Sequence, residues 1–274
     1  MIANLFANVN KQTVKYDTYF DAYDEVFSKY YKKDIVFVEI GVLGGGSLTA
    51  FRNYFGPKSR IIGIDLNPAM KEELEKDGFE IYIGDQSDPS FWSDFFQKVG
   101  NVDVILDDGG HTYKQQIITT VSVLPHINDG GLIVIEDTHT SYMKRFGFPS
   151  KYTYLEFTKF IIDKINNKFF SNQSDIVSSI YQSNIFSIQF FESIVVMHKN
   201  AKLCRPPKKV INGDLNEYVI DFRVESERNK DSFIVKSIKS LKFIFPLSTR
   251  KKLNEIILGR KYFQENRSLK QFFK

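Results

Sequence analysis

The sequence predicts an α/β protein built on a doubly wound, mostly parallel sheet closed by an antiparallel hairpin. Three observations carry this. Five short β-branched runs, 35–41, 60–66, 80–85, 102–108 and 131–137, are nearly all apolar and end in Gly or an acid. Helix-period segments lie between the first four and before the fifth, and strands buried on both faces that alternate with helices form a parallel sheet covered on both sides. Two later runs, 185–191 and 194–199, are separated only by Glu192 and Ser193, which forces them into a hairpin.

Each element has its own signal. In segment 15–31, Tyr16, Phe20, Tyr23 and Phe27 fall on one helical stripe, so a lead-in helix is expected there. Segments 47–55, 68–77, 89–99 and 112–124 read as the helices between the strands, and 152–169 as a further helix before the hairpin. Pro206-Pro207-Lys208-Lys209 punctuates the chain, giving a helical lead-in over 1–34, a central domain over 35–200 and a C-terminal extension over 201–274. In the extension, Ile234, Ile238, Leu241 and Phe245 share a helical face beside Lys236, Lys239 and Lys242. That pattern suits packing on an acidic surface, with weak contact to an anionic membrane as the second reading.

Composition removes several classes. At 274 residues, 42% hydrophobic and 26% charged, the chain is an ordinary globular sequence rather than a fibrous or disordered one. No apolar run approaches the ~20 residues of a spanning helix. The start carries no secretory leader, and the single Cys204 fits a reducing compartment, so a cytoplasmic protein is expected. Residues 1–200 hold 19 Lys and Arg against 25 Asp and Glu, whereas 201–274 hold 18 against 8. An acidic body repels phosphates, which argues against nucleic acid as a partner.

The strand ends carry the chemistry. The first strand runs into Glu39-Ile40-Gly41-Val42-Leu43-Gly44-Gly45-Gly46-Ser47. Glycines there let the chain turn sharply and let a ligand approach the backbone. Leu43 stands where a dinucleotide fingerprint needs Gly, which weighs against an NAD(P)-linked oxidoreductase. Asp65, closing the second strand, suits two ribose hydroxyls. Asp85 and Gln86, closing the third, offer an acceptor and a donor to an adenine edge. The fourth strand ends in Asp107-Asp108-Gly109-Gly110-His111 and the fifth in Glu136-Asp137. If these strands are neighbours, four carboxylates meet in one crevice and repel unless they are protonated or bound to a cation. Oxygen ligands without cysteine favour Mg²⁺ or another hard divalent ion.

The element order, the acid-then-glycine loop and the segments GDQSD, ILDDGGH and GGLIVIEDTHTSY resemble the macrocin/mycinamicin type of sugar O-methyltransferase over roughly residues 15–199. The resemblance implies a class I methyltransferase sheet that binds S-adenosyl-L-methionine (SAM) through Glu39, Gly41, Gly45, Ser47, Asp65, Asp85, Gln86 and Asp107. It also implies Mg²⁺ on Asp108, Glu136 and Asp137, with His111 as the base. His139 and Tyr142 are candidate acceptor contacts. The implied reaction moves a methyl group to a sugar hydroxyl, with a homo-oligomer as the expected assembly. A catechol acceptor is the alternative, since its adjacent oxygens chelate a metal equally well; a non-catalytic binding protein is a further one. Two positions depart from the family pattern: Gly110 replaces the usual Ser, and Gln115 a frequent second histidine.

Overall fold

The computed structural model describes residues 1–167 and 180–206, with isolated positions beyond them. The chain divides into two units, Met1–Lys208 and Lys209–Lys274. The lysine-flanked helix expected over 234–245 lies outside the described residues, so the fold below is that of the first unit.

Seven strands form one sheet: β1 (Val36–Ile40), β2 (Arg60–Asp65), β3 (Glu80–Ile83), β4 (Val102–Asp107), β5 (Ile127–Ile135), β6 (Ile185–Phe191) and β7 (Ile194–Lys199). Their spatial order is β3-β2-β1-β4-β5-β7-β6. The first five are mutually parallel, while β7 runs antiparallel to both β5 and β6. This is the class I methyltransferase sheet expected from the sequence. The strand order reverses between β1 and β4, the place where open α/β sheets leave a crevice at their carboxyl ends.

The helices are α1 (Ile2–Ala7), α2 (Tyr19–Phe27), α3 (Gly46–Phe55), α4 (Pro68–Glu75), α5 (Pro89–Val99), α6 (Tyr113–Val123), α7 (Tyr154–Asn167) and α8 (Ile180–Asn184). Local chemistry sets where several begin. Asn67 and Asp88 cap α4 and α5 by accepting from the amides of Ala69 (3.1 Å) and Ser90 (2.9 Å), each with Pro at the first helical position. Thr112 and Gln115 form a reciprocal capping box at the start of α6.

Each face of the sheet has its own core. On one, Tyr23 and Phe27 of α2 join Phe37, Phe51 and Phe55, together with Ile2 and Phe6 of α1. On the other, Trp92, Phe95 and Phe96 of α5 pack with Ile105, Ile133, Tyr154 and Ile161. Trp92 is thus a core residue, and its indole N–H donates to the carbonyl of Gln86 at 2.9 Å.

The lead-in differs from expectation. Its helix starts at Tyr19, not near residue 15, and Tyr16 is 59% exposed. Tyr19 takes the buried position that the stripe assigned to Tyr16. Residues 9–18 instead cross the carboxyl end of the sheet as a strap, where the carbonyl of Gln12 accepts from Gly46 N at 3.2 Å. Helix α1 gave no sequence signal because six residues span too few turns to show a period.

Candidate active site

A cavity of about 650 Å³ occupies the crevice at the switch point. Its floor is the turn after β1, its sides carry Asp65, Gln86 and Asp108, and Gln12 and Val14 of the strap form its edge. Gly41 adopts φ +83°, and a Cβ there would lie 2.2 Å from the carbonyl oxygen of Asp108. Only glycine lets the ends of β1 and β4 come this close. Asp65 is fixed within the cavity wall: one carboxylate oxygen accepts from Val42 N at 3.0 Å, the other from Asn67 N at 2.8 Å.

Of the residues expected around a cofactor, Gly41, Asp65 and Gln86 line this cavity, whereas Glu39, Gly45, Ser47, Asp85 and Asp107 do not. Gln86 is already committed: its amide N–H donates to both oxygens of Asp107 at 2.9 Å and its carbonyl accepts from Gly110 N at 3.0 Å. Burial raises the Asp107 carboxyl above its ordinary range, against the pull of the Gln86 hydrogen bonds. Glu39, also buried, accepts from Ser47 Oγ at 2.7 Å. Burial raises its carboxyl to about 7, against the lowering by Lys15 and Ser47. Asp85 is exposed and caps its own turn through Ser87. Leu66, Asn67 and Met70 line the cavity without having been singled out by any motif.

At the far end, Asp108, His111 and Asp137 each bring one ligand atom within 4.8 Å of the others. His111 Nε2 lies 3.3 Å from Asp137 Oδ2 and 4.0 Å from Asp108 Oδ1. Both His111 (φ 57°) and Asp137 (φ 55°) are left-handed non-glycine residues. Such geometry costs about 1–3 kcal/mol per residue and persists where the surrounding structure enforces it. Here Thr140 does so, its hydroxyl lying 2.7 Å from the carbonyl of Asp137 and 3.1 Å from that of His111. His111 Nδ1 is buried and has no hydrogen-bond partner.

Glu136 lies outside that group. It is fully buried, with Tyr23 OH donating to Oε1 and Lys15 Nζ at 3.2 and 3.0 Å from its two oxygens. Lys15 also sits 2.8 Å from Asp108 Oδ2 and 3.6 Å from Glu39 Oε1. Burial would lower the lysine pKa, but the carboxylates, Glu136 foremost, hold it well above the ordinary value. The repulsion expected among these acids is therefore met in part by an ammonium group from the strap, which no motif indicated. Tyr19 OH donates to Asp137 Oδ1. A second cavity of about 290 Å³, bounded by Val14, Lys15, Tyr16, Tyr19, Asp108, Glu136 and Asp137, opens on this side of the acids.

His139 is half-buried, with Nδ1 2.5 Å from Ser193 Oγ and its ring edge-on to Tyr16. Tyr142 is 75% exposed and lines neither crevice cavity. His126 stacks on Phe96 at 4.0 Å, and His198 bonds Gln189 at 2.7 Å, so neither faces the crevice. The two departures from the family pattern are linked in space. A Cβ at Gly110 would lie 2.2 Å from the Gln115 amide nitrogen, so the small residue leaves room for the capping side chain.

Residues 38–138 match the family model Methyltransf_24, described as a methyltransferase domain. This span carries the sequence pattern of a methyltransferase domain. Around it, the chain is 28% identical over 196 residues to the 8-demethyl-8-alpha-L-rhamnosyl tetracenomycin-C 2'-O-methyltransferase of Streptomyces olivaceus, covering 67% of this chain and 50% of that protein. It is also 28% identical over 189 residues to the mycinamicin VI 2''-O-methyltransferase of Micromonospora griseorubida, covering 65% and 47%. The chain spans about half the length of the curated relatives it matches. Among solved structures, the methyltransferase MycE in complex with Mg and SAH superposes with a TM-score of 0.68 at 24% identity, over 84% of this chain and 60% of that one. MycE with Mg, SAH and mycinamycin VI gives 0.62 at 25%, over 73% and 54%. The resemblance read from the motifs is borne out by these relatives. Among the described residues, no helix is long and apolar enough to cross a membrane.

Proposed function

We propose that the protein transfers the methyl group of SAM to a hydroxyl of a sugar-bearing acceptor, assisted by a divalent cation. The observation that carries this is the placement of Asp108, His111 and Asp137 at the end of the crevice that also presents Asp65. The relatives act on sugar-bearing compounds by their names, and MycE was solved with Mg and SAH.

The residues fit both groups. The carboxylates of Asp108 and Asp137, with no thiolate near, suit a hard divalent ion, and the imidazole of His111 stands beside them. A cavity of about 650 Å³ is in the size range of small-molecule cofactor sites, and Asp65 stands in its wall as an acceptor for ribose hydroxyls. When bound, a divalent cation supplies the Lewis acidity that makes a hydroxyl proton easier to remove.

The chain's own residues do the remainder. Asp108 and Asp137, with Glu136 as the third acid of the set expected from sequence, would hold the cation. His111 Nε2 takes the acceptor proton as the methyl group arrives, the usual task of a positioned imidazole. The 290 Å³ cavity receives the acceptor, with Tyr16 in its wall and the His139 ring edge-on to Tyr16. Val14, Asp108 and Asp137 line both cavities, so an acceptor in one would lie next to a cofactor in the other.

Binding of the cofactor tests the first half of this reading. Asp65→Ala is expected to weaken SAM by about 1.5–3 kcal/mol, the worth of hydrogen bonds to a charged acceptor. Titration calorimetry on the parent and the variant reads this directly. Equal affinity in the two proteins would move the ribose site elsewhere.

A further inference from the structure

We propose that the cavity between the start of α6 and segment 144–152 is a subsite for a phosphate or diphosphate group carried by the sugar acceptor, bound by Lys114 and Arg145. The inference names the chemical class of the acceptor, and so rests on the reading that the protein methylates a sugar hydroxyl. The cavity measures about 540 Å³ and is lined in part by Lys114, Ile117, Arg145, Phe146, Ser150 and Tyr152. That volume is in the range of small-molecule sites. None of these six residues lines either crevice cavity.

Charge sets this place apart from the rest of the body. Of the 19 Lys and Arg in residues 1–200, Lys144, Arg145 and Lys151 fall within 138–155, a stretch that holds none of the 25 Asp and Glu. Among the described residues, Lys114, Lys144, Arg145 and Lys151 form no ion pair. Lys114 acts on Asp88 only from beyond contact range. A guanidinium and an ammonium lining one concavity, neither neutralised by a carboxylate, suit the clustered oxygens of a phosphate.

The walls are held in place. The buried Tyr113 hydroxyl donates to the carbonyl of Ser141 at 2.9 Å, and a Cβ at Gly147 would lie 2.3 Å from the Tyr113 ring. Segment 144–148 is thereby seated against α6. The Arg145 guanidinium lies 4.6 Å over the Phe146 ring, a cation–π contact that steadies its donor fork. His111 joins this cavity to the chemistry. Thr112 follows it in the chain and lines the cavity, while the His111 ring meets Phe146 edge-on at 6.2 Å. An acceptor whose hydroxyl meets His111 thus has two unpaired cations beside it. A neutral glycoside leaves them unused; a glycosyl phosphate or diphosphate pairs them.

The test is calorimetric titration of the full chain with inorganic pyrophosphate, without SAM and in excess EDTA so that no cation bridges the ligand to the crevice acids. The parent should bind, and Lys114→Gln/Arg145→Gln should bind about tenfold or more weakly, having lost two charged donors. Both side chains are exposed, so the variant should keep the parent's SAM affinity, which checks its fold. Lys58→Gln removes an exposed charge elsewhere and should change pyrophosphate affinity by less than about twofold. With SAM and Mg²⁺, a panel of glycosyl phosphates and nucleoside diphosphate sugars is then compared with the matching methyl glycosides. The double variant should lose about tenfold or more in kcat/KM toward the phosphorylated acceptors only. No pyrophosphate binding by the parent, or an equal loss in Lys58→Gln, overturns the subsite and leaves methyl transfer standing. Equal losses toward charged and uncharged acceptors overturn it as well. Pyrophosphate bound as expected, with no sugar methylated, removes the reading of the reaction and with it the acceptor role of the bound group. Co-sedimentation with phosphatidylglycerol vesicles that is lost in the double variant, without pyrophosphate binding by the parent, would assign these cations to a membrane surface instead.

Discussion

Asp108→Asn and Asp137→Asn are each expected to remove divalent-ion binding and methyl transfer together, while SAM affinity stays within a few-fold of the parent. These two carboxylates face the crevice beside His111, and they are the anions of the group that Lys15 does not fully occupy. Asparagine keeps the shape and one acceptor oxygen but loses the charge that holds a hard cation. Outer-shell substitutions around bound metals typically cost about 10–100-fold in affinity, so loss of a ligand should exceed about 100-fold. Asp65, on a different strand, is untouched by either change, which is why cofactor binding should survive. Mn²⁺ titration and SAM calorimetry on the same samples check both halves. A variant that loses SAM as well as metal would mean that the two sites are one cooperative unit.

His111→Ala is expected to behave differently, keeping SAM and metal but losing about 10²–10⁴-fold in kcat, the usual contribution of a positioned base. The cation makes the hydroxyl more acidic but does not carry the proton away. Because His111 is left-handed, alanine there adds strain, whereas asparagine tolerates that conformation. His111→Asn is thus the fairer comparison, and thermal unfolding separates loss of the base from loss of the fold. His139 is the nearest other imidazole, at 3.9 Å from Asp137, but its Nδ1 is engaged with Ser193. A His111→Asn enzyme as fast as the parent would move the base to His139 or to a carboxylate.

Much of the fold was legible because each element carried its own period and punctuation. The runs at 35–41 and 102–108 could only be doubly covered strands, and the two-residue gap at Glu192-Ser193 could only be a hairpin. The acids at the strand ends were equally plain, but their division was not drawn from the sequence, because Asp108, Glu136 and Asp137 lie just past the ends of β4 and β5 where strand alternation no longer applies. Asp107 turns inward to Gln86 while Asp108 faces the crevice, and Glu136 turns to Lys15 and Tyr23 while Asp137 meets His111.

Lys15 was beyond sequence reasoning for another reason. A lysine in the polar stretch Asn10-Lys11-Gln12-Thr13-Val14-Lys15 has the profile of a solvated side chain, and nothing local to it indicates carboxylates 93 and 121 residues away. The aromatic stripe that included Tyr16 reinforced the wrong helix start. Only the tertiary charge cluster draws the strap inward and leaves Tyr16 at the surface. Tyr19 and Tyr23 were expected, if at all, as core aromatics. Their hydroxyls in fact close hydrogen bonds on Asp137 and Glu136, so one helix face serves both the core and the site.

The central claim is methyl transfer to a sugar hydroxyl under the control of a divalent cation. Incubating the full chain with SAM, Mg²⁺ and a panel of glycosides and catechols, then locating any new methyl group by mass spectrometry and NMR, tests it most directly. The account predicts a methyl ether on a sugar-ring oxygen, formed with Mg²⁺ and abolished by excess EDTA. Methylation confined to a catechol, or a sugar methylated equally fast in excess EDTA, would contradict it.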